Sequence, residues 1–173
     1  MTGCSGSAEP DRSTAFAPVG DTRARVLILG SLPGAASLAA REYYAHPRNA
    51  FWRLVGTVIG TDLAALPYGA RLARLVDARI ALGDVIASAA RKGSLDAAIR
   101  DATHADLAAL VAGFPELRAV GFNGRTAAKH GRASLRAATG LDFVDLPSSS
   151  PAHAAMPFAA KLRRWSVLSG HLR

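Results

Sequence analysis

Cysteine, lysine and long apolar runs are scarce in this sequence, and each scarcity argues against a class of protein. The single cysteine, Cys4, permits no internal disulfide and no iron–sulfur cluster held by several thiolates. No apolar run reaches the roughly 18 residues that span a bilayer, and the polar N-terminus has no apolar segment of the secretory type. We therefore expect a cytoplasmic protein that does not bind membranes.

Patterns that hold metals, nucleotides or cofactors are missing as well. The five histidines show no zinc-type pairing and have no cysteine partners. Neither a dinucleotide fingerprint nor a phosphate-binding loop with Gly-Lys-Ser or Gly-Lys-Thr occurs. We expect no metal and no cofactor, and a nucleotide-binding α/β protein is the least favoured function.

Positive charge is abundant, with 21 lysines and arginines against 13 acidic residues and a net charge of +8. All the basic residues except Lys92, Lys129 and Lys161 are arginines. This balance favours a polyanionic partner, because each phosphate that a protein neutralises releases counterions. A composition set by coding bias would carry the same charge, so the charge supports DNA binding without establishing it. Arg91, Lys92 and Arg163 are the candidate phosphate contacts.

Strand and helix patterns alternate along the chain. The apolar run Val26–Leu29 is typical of a strand buried on both faces. Further strands are predicted at 79–86, 117–122 and 143–146, and helices at 51–59, 94–100, 103–113, 158–165 and after Asn123-Gly124. This alternation predicts an α/β sandwich around a mostly parallel sheet. Residues 1–22 show no periodicity and are predicted to be a disordered tail, which leaves 23–173 as one domain.

Polar loops rich in glycine or proline follow three of the predicted strands. These loops are Gly30–Ser37, Asn123-Gly124 and Pro147–His153. Because ligands bind at the carboxyl ends of parallel strands, we expect the three loops to converge on one edge of the sheet. The sequence therefore predicts a binding site there.

A fourth segment, Glu42–Trp52, crowds aromatic residues around His46 and Asn49. Aromatic rings can stack on a nucleobase, and an asparagine amide both donates and accepts hydrogen bonds. Two structural interpretations stay open, because Phe51 and Trp52 also suit a protein core and Asn49 also suits a helix cap. For His46, an acid role and a structural hydrogen bond at the helix start are equally favoured.

Together these segments resemble a known family. Gly-Ser-Leu-Pro-Gly at 30–34, His-Pro-Arg-Asn-Ala-Phe-Trp at 46–52 and Leu-Pro-Ser-Ser-Ser-Pro-Ala-His at 146–153 resemble the uracil-DNA glycosylase superfamily, and most closely its deoxyinosine (hypoxanthine) branch. The resemblance extends from residue 24 to 166. It implies a three-layer α/β sandwich with a central, mostly parallel four-stranded sheet.

The resemblance also implies roles for individual residues. Asn49 and His46 are the expected catalytic residues. The expected substrate-binding residues are Gly30, Ser31, Leu32, Pro33, Gly34, Ser37, Tyr44, Phe51 and Asn123. The loop expected to press into DNA comprises Pro147, Ser148, Ser149, Ser150, Pro151 and His153. Asp84 and Asp96 are interpreted as structural.

Departures from the superfamily pattern favour the deoxyinosine branch, which shares them. Leu32 stands where many members have an acid or amide that positions water, and Leu146 stands where many have a histidine. His153 replaces a common asparagine, and its role stays open. The resemblance implies a DNA repair enzyme that hydrolyses the glycosidic bond of a flipped-out deaminated base, most readily hypoxanthine.

We expect base excision alone, because the matched pocket segments contain no lysine for a covalent Schiff-base step. The expected partner is DNA that contains a deaminated base, and a monomer is expected. The alternatives are a uracil or mismatch-specific glycosylase and a non-catalytic protein that binds damaged DNA. Leu32 favours the last of these, and the retained Asn49 opposes it.

Overall fold

The computed structural model describes residues 12–173, which form two sheets with helices around them. The strands are β1 (Arg12–Thr14), β2 (Val26–Gly30), β3 (Ile80–Asp84), β4 (Ile86–Arg91), β5 (Ile99–His104), β6 (Ala119–Asn123) and β7 (Asp142–Leu146). The α-helices are α1 (Ala35–Ala40), α2 (Phe51–Ile59), α3 (Tyr68–Asp77), α4 (Leu107–Ala112), α5 (Arg125–Ser134), α6 (Phe158–Trp165) and α7 (Ser169–Leu172).

The central sheet has four parallel strands in the order β3-β2-β6-β7. Every residue of β2 is buried, and its side chains alternate between two apolar clusters. Ile28 faces the cluster that includes α2 and α6, whereas Leu27 faces the cluster that includes α4 and α5. The predicted α/β architecture with a parallel four-stranded sheet is therefore confirmed.

A second sheet was not predicted. It is antiparallel, three-stranded and ordered β1-β4-β5. The helix expected at residues 94–100 is wrong, because Asp96–Ala98 forms a single 3-10 turn and Ile99 begins β5. Pairing with β4 and the packing of Ile99 against the core outweigh the local helical preference. The next helix begins later than expected, with Asp106 as its cap, accepting a hydrogen bond from the Ala109 amide at 3.0 Å.

The predicted tail is wrong for residues 12–22, and residues 1–11 lie outside the described part of the chain. Residues 12–14 pair with β4 as an edge strand. Phe16 packs edge-on against Tyr43 with ring centroids 5.2 Å apart, and the Val19 amide donates to the Leu82 carbonyl at 3.0 Å. A short polar segment gives little periodicity, so its order comes from contacts with distant residues.

Within residues 12–173, no helix combines the length and apolar character that crossing a membrane requires.

Candidate active site

A cavity of about 410 Å³ opens at the carboxyl edge of the parallel sheet. The loops after β2, β6 and β7 all line it, which confirms the predicted convergence. The segment before α2 and the hairpin loop between β4 and β5 complete its wall. The lining includes Gly30, Ser31, Leu32, Pro33, Gly34, Ser37, Tyr44, His46, Asn49, Asn123, Ser148, Ser149, Ser150, Pro151 and His153, but not Phe51 or Pro147.

Gly30, the last residue of β2, forms part of the cavity floor. A Cβ atom added to Gly30 would lie 2.7 Å from Asp84 Oδ1 and 3.0 Å from Tyr44 Oη. Both distances are shorter than ordinary carbon–oxygen contacts. A side chain at this position would therefore displace the two polar groups that meet there.

A buried arginine holds the loop that follows Gly30. The Arg91 guanidinium donates to the carbonyls of Leu32, at 3.4 Å, and of Pro33. Its side chain has no exposed surface, and its nearest acidic partner is Asp96 at 4.0 Å. The expectation that Arg91 contacts DNA phosphates is therefore wrong, because its guanidinium is buried and hydrogen-bonded to the loop that follows Gly30.

The hairpin loop between β4 and β5 fastens the same pocket loop from outside. Ser31 Oγ donates to Asp96 Oδ1 at 2.7 Å, and the Ala35 amide donates to Ser94 Oγ at 2.9 Å. Ser94 thus holds the start of α1 instead of capping a helix of its own. The second sheet, which sequence patterns missed, therefore positions the first motif of the site.

Tyr44 presents an aromatic ring to the cavity and is supported by Phe51. The two rings stack with centroids 3.7 Å apart and planes 13° from parallel. Phe51 is fully buried, so it supports the stacking ring and does not reach the cavity. Tyr44 has a φ of 54°, a left-handed conformation that bulky residues rarely adopt, and this turn directs the ring inward.

Asn49 combines a capping bond with a free donor. Its Oδ1 accepts a hydrogen bond from the Phe51 amide at 3.0 Å, at the start of α2. Its Nδ2 has no hydrogen-bond partner among residues 12–173, and the side chain lines the cavity. The two interpretations of Asn49 are therefore compatible, because the cap uses the oxygen and leaves the amide nitrogen available.

His46 lies beside Asn49 and also makes a local backbone contact. Its Nδ1 accepts a hydrogen bond from the Arg48 amide at 3.1 Å. An imidazole that accepts at Nδ1 carries its proton on Nε2 in the neutral form. His46 therefore offers an N–H donor at the cavity wall without needing to be protonated further.

Asn123 and Ser149 tie the last loop to the sheet. Asn123 Nδ2 donates to Ser149 Oγ at 2.9 Å, and its Oδ1 accepts from the Ser149 amide at 2.9 Å. The Pro147 carbonyl accepts from Trp165 Nε1 at 3.0 Å. Both the oxygen and the nitrogen of the Asn123 amide are thus hydrogen-bonded, so Asn123 anchors the loop in this structure. His153, in the same loop, is exposed at the rim of the cavity.

Asp84 and Asp96, which sequence patterns assigned to structure, both line the cavity, and Asp84 is the buried one. It ends β3, is only 8% exposed, and makes no hydrogen bond through its carboxyl group with any described residue. Burial raises the pKa of Asp84 to about 7, against an opposing attraction from Arg91. The sequence signal that could have identified Asp84 is an acidic residue at the end of the otherwise apolar strand Ile80–Asp84.

The cavity contains neither a lysine nor a metal-binding cluster in the described part of the chain. Of the two positions that depart from the superfamily pattern, Leu32 lines the cavity with apolar surface, whereas Leu146 is buried in the core. Besides amides and hydroxyls, the polar side chains that line the site are the His46 and His153 imidazoles, the Asp84 and Asp96 carboxyls and the Arg125 guanidinium.

Comparisons with known proteins place this geometry among glycosylases. A model of the uracil DNA glycosylase superfamily matches residues 17–168. A curated protein named hypoxanthine DNA glycosylase from Methanosarcina acetivorans is 41% identical over 138 residues, which cover 80% of this chain and 86% of that protein. One of the same name from Methanosarcina barkeri is 39% identical, with the same coverage. A solution NMR structure from Methanosarcina acetivorans, described as a candidate uracil DNA glycosylase, has a TM-score of 0.84 at 37% identity and covers 94% of this chain and 99% of its own.

Proposed function

The chain belongs to the uracil-DNA glycosylase superfamily, and from that premise we propose that it hydrolyses the glycosidic bond of deoxyinosine in DNA, releasing hypoxanthine. The observation that carries the proposal is a base-sized cavity that keeps the Asn49 amide while Leu32 contributes only apolar surface. The two relatives named hypoxanthine DNA glycosylase support the same substrate.

The reaction begins with a base outside the helical stack, because the bond to be broken is shielded inside a duplex. The free face of Tyr44 receives the purine, since Phe51 covers the opposite face. Asn49 Nδ2 then donates to the base or to the attacking water. The electron pair of the C1′–N9 bond moves to the purine, and the water oxygen forms the new bond to C1′. The proton that the water loses ends on the purine, which leaves as neutral hypoxanthine.

Hydrogen-bond donors aimed at the departing base lower the barrier more than acceptors do. Negative charge develops on the purine as the bond breaks, while the sugar becomes cationic. The Nε2 proton of His46 is a second donor at the wall of the cavity. A strong carboxylate base at position 32 is therefore unnecessary for a purine leaving group.

The product is an intact strand with an abasic site. A lyase step would need an amine to form a Schiff base with the sugar, and no lysine lines the described cavity. Incubation with borohydride should accordingly trap no covalent enzyme–DNA adduct. A trapped adduct would overturn this part of the proposal.

The loop 147–153 lies at the mouth of the cavity, where it can contact the strand that carries the flipped base. Its anchoring through Ser149 to Asn123 and to the start of α2 holds it firm against the duplex. Replacing His153 by alanine should therefore slow excision from double-stranded DNA more than from single-stranded DNA. We further expect a monomer acting through one domain, which takes in residues 12–22 as well as 23–173.

The deciding experiment measures single-turnover excision from matched duplexes that contain hypoxanthine, uracil, xanthine or ethenoadenine. Hypoxanthine should be released fastest. Efficient release of uracil with deoxyinosine left intact would make the chain a uracil or mismatch-specific glycosylase instead. Tight binding to all four duplexes without release of any base would favour a protein that only binds damaged DNA, as Leu32 by itself suggests.

A further inference from the structure

Asp84 is a buried carboxyl group that the fold does not use. It lies at the floor of the cavity, level with Gly30 on the neighbouring strand. Its Oδ2 is sealed from solvent and has no hydrogen-bond partner among residues 12–173. An unpaired polar group in such a place costs stability, and proteins seldom keep one without a ligand to satisfy it.

The surroundings of Asp84 disfavour its negative charge. The negative charge of Asp96, in the hairpin loop, opposes the loss of a proton from Asp84, whereas Arg91 on β4 favours the charged form. Arg91 is already bonded to the Leu32 and Pro33 carbonyls and makes no hydrogen bond to Asp84. Tyr43 and Tyr44 face the same space, and burial raises the pKa of both phenols, so they stay neutral.

We propose that Asp84, in its protonated form, donates a hydrogen bond to the flipped-out base and holds it through the cleavage step. This inference rests on the proposed glycosylase function. Asp84 would then be a catalytic residue in the strict sense, since its carboxyl group touches the departing base. The proton stays on the carboxyl group, so the step adds no proton transfer to the reaction.

A neutral carboxyl group matches the edge of hypoxanthine that distinguishes it from adenine. That edge offers the O6 oxygen as an acceptor and the N1–H group as a donor. The O–H of the acid can donate to O6 through Oδ1, the oxygen that is not sealed from the cavity. An ionised carboxylate would accept from N1–H but would repel O6.

Burial sets the pH range in which this arrangement holds. The pKa of Asp84 is raised to about 7 because the surrounding cavity penalises its charge. The donor is therefore present below about pH 7 and is lost above it.

The test compares wild type with Asp84→Asn and Asp84→Leu in single-turnover excision between pH 5.5 and 9. Asparagine supplies a donor and an acceptor at every pH, whereas leucine supplies neither. Wild-type excision should fall by up to tenfold per pH unit above about pH 7. Asp84→Asn should keep the rate within about fivefold and lose that fall, and Asp84→Leu should lose roughly a hundredfold at every pH.

Controls separate this role from misfolding and from His46. Affinity for duplex that already contains an abasic site should be unchanged in both variants, because no base is left for Asp84 to contact. His46 lines the same cavity, so a fall above pH 7 that persists in Asp84→Asn overturns the proposal. Wild-type excision that rises through pH 7, with Asp84→Asn inactive, also overturns it by showing that the carboxylate is the working form.

The same experiment distinguishes this inference from the proposed function. If wild type excises uracil instead of hypoxanthine, the substrate proposal fails, but uracil carries the same donor–acceptor edge and the pH comparison still tests Asp84. If wild type excises hypoxanthine and both variants match it at every pH, the substrate proposal holds and the role of Asp84 is refuted. Release of no base from any duplex overturns both.

Discussion

Substitution of Asn49 separates the structural role of its amide from the catalytic role that we propose for it. Its Oδ1 accepts from the Phe51 amide at the start of α2, and its Nδ2 remains unbonded in the described part of the chain. Asn49→Ala removes both groups. Asn49→Ser keeps a short acceptor that can bond the Phe51 amide, but it removes the amide donor that would reach the substrate.

The two losses differ in size. A helix-start cap is worth about 1 kcal/mol, which corresponds to about 2–4 °C in Tm for a chain of this length. A hydrogen bond made to the transition state is worth about 3–4 kcal/mol, or roughly a hundred- to thousandfold in rate. Asn49→Ala should therefore lower both Tm and excision, whereas Asn49→Ser should lower excision alone.

The assays are thermal melting by circular dichroism and single-turnover release of hypoxanthine from duplex DNA. Both are run on the same preparations, at enzyme concentrations that saturate the substrate. A lower Tm for Asn49→Ala with near-normal excision would refute the reasoning and leave Asn49 as a cap. Recovery of full excision in Asn49→Ser would equally show that the amide nitrogen is dispensable.

Three further predictions concern the floor of the cavity and the charge of the surface. Gly30→Ala should slow excision at least tenfold, because the new Cβ would lie 2.7 Å from Asp84 Oδ1. The control Gly69→Ala should behave as wild type, because a Cβ there would meet no atom within 4 Å. Equal excision rates for the two variants would contradict this prediction. Asp84 has a folded-state pKa of about 7, above its ordinary 3.8, so its contribution to stability is present at low pH and is lost between about pH 4 and 7. The shift corresponds to about 4 kcal/mol of stability. The Tm of Asp84→Asn minus the Tm of wild type should therefore increase from pH 5 to pH 8. A difference that stays constant over this range would show that Asp84 is not buried in its uncharged form. DNA affinity should fall at least tenfold between about 50 and 200 mM salt, because the net charge is +8. Lys92→Ala should make the affinity less dependent on salt concentration. An affinity that does not change with salt would refute the phosphate contacts.

Sequence patterns were sufficient for the parallel sheet and for the place of the site. The apolar run at residues 26–29 predicts a strand buried on both faces, and a buried strand of that kind requires helices on either side. The loops after β2, β6 and β7 then have to meet, because parallel strands end at the same edge. Asn49 and Tyr44 were found because their segment is unusual in residue type, which local chemistry makes visible.

Tertiary structure alone decided which of these residues face the cavity. Phe51 and Tyr44 are both aromatic and close in sequence, yet only the stacking of one on the other shows which ring is covered. Arg91 looks like a surface cation in the sequence, but antiparallel pairing of β4 buries it beneath the pocket loop. Asp84 looks like an ordinary strand-end acid in the sequence, but in the fold its Oδ2 is buried with no hydrogen-bond partner among the described residues. Burial and pairing depend on residues distant in the chain, and local patterns carry no information about them.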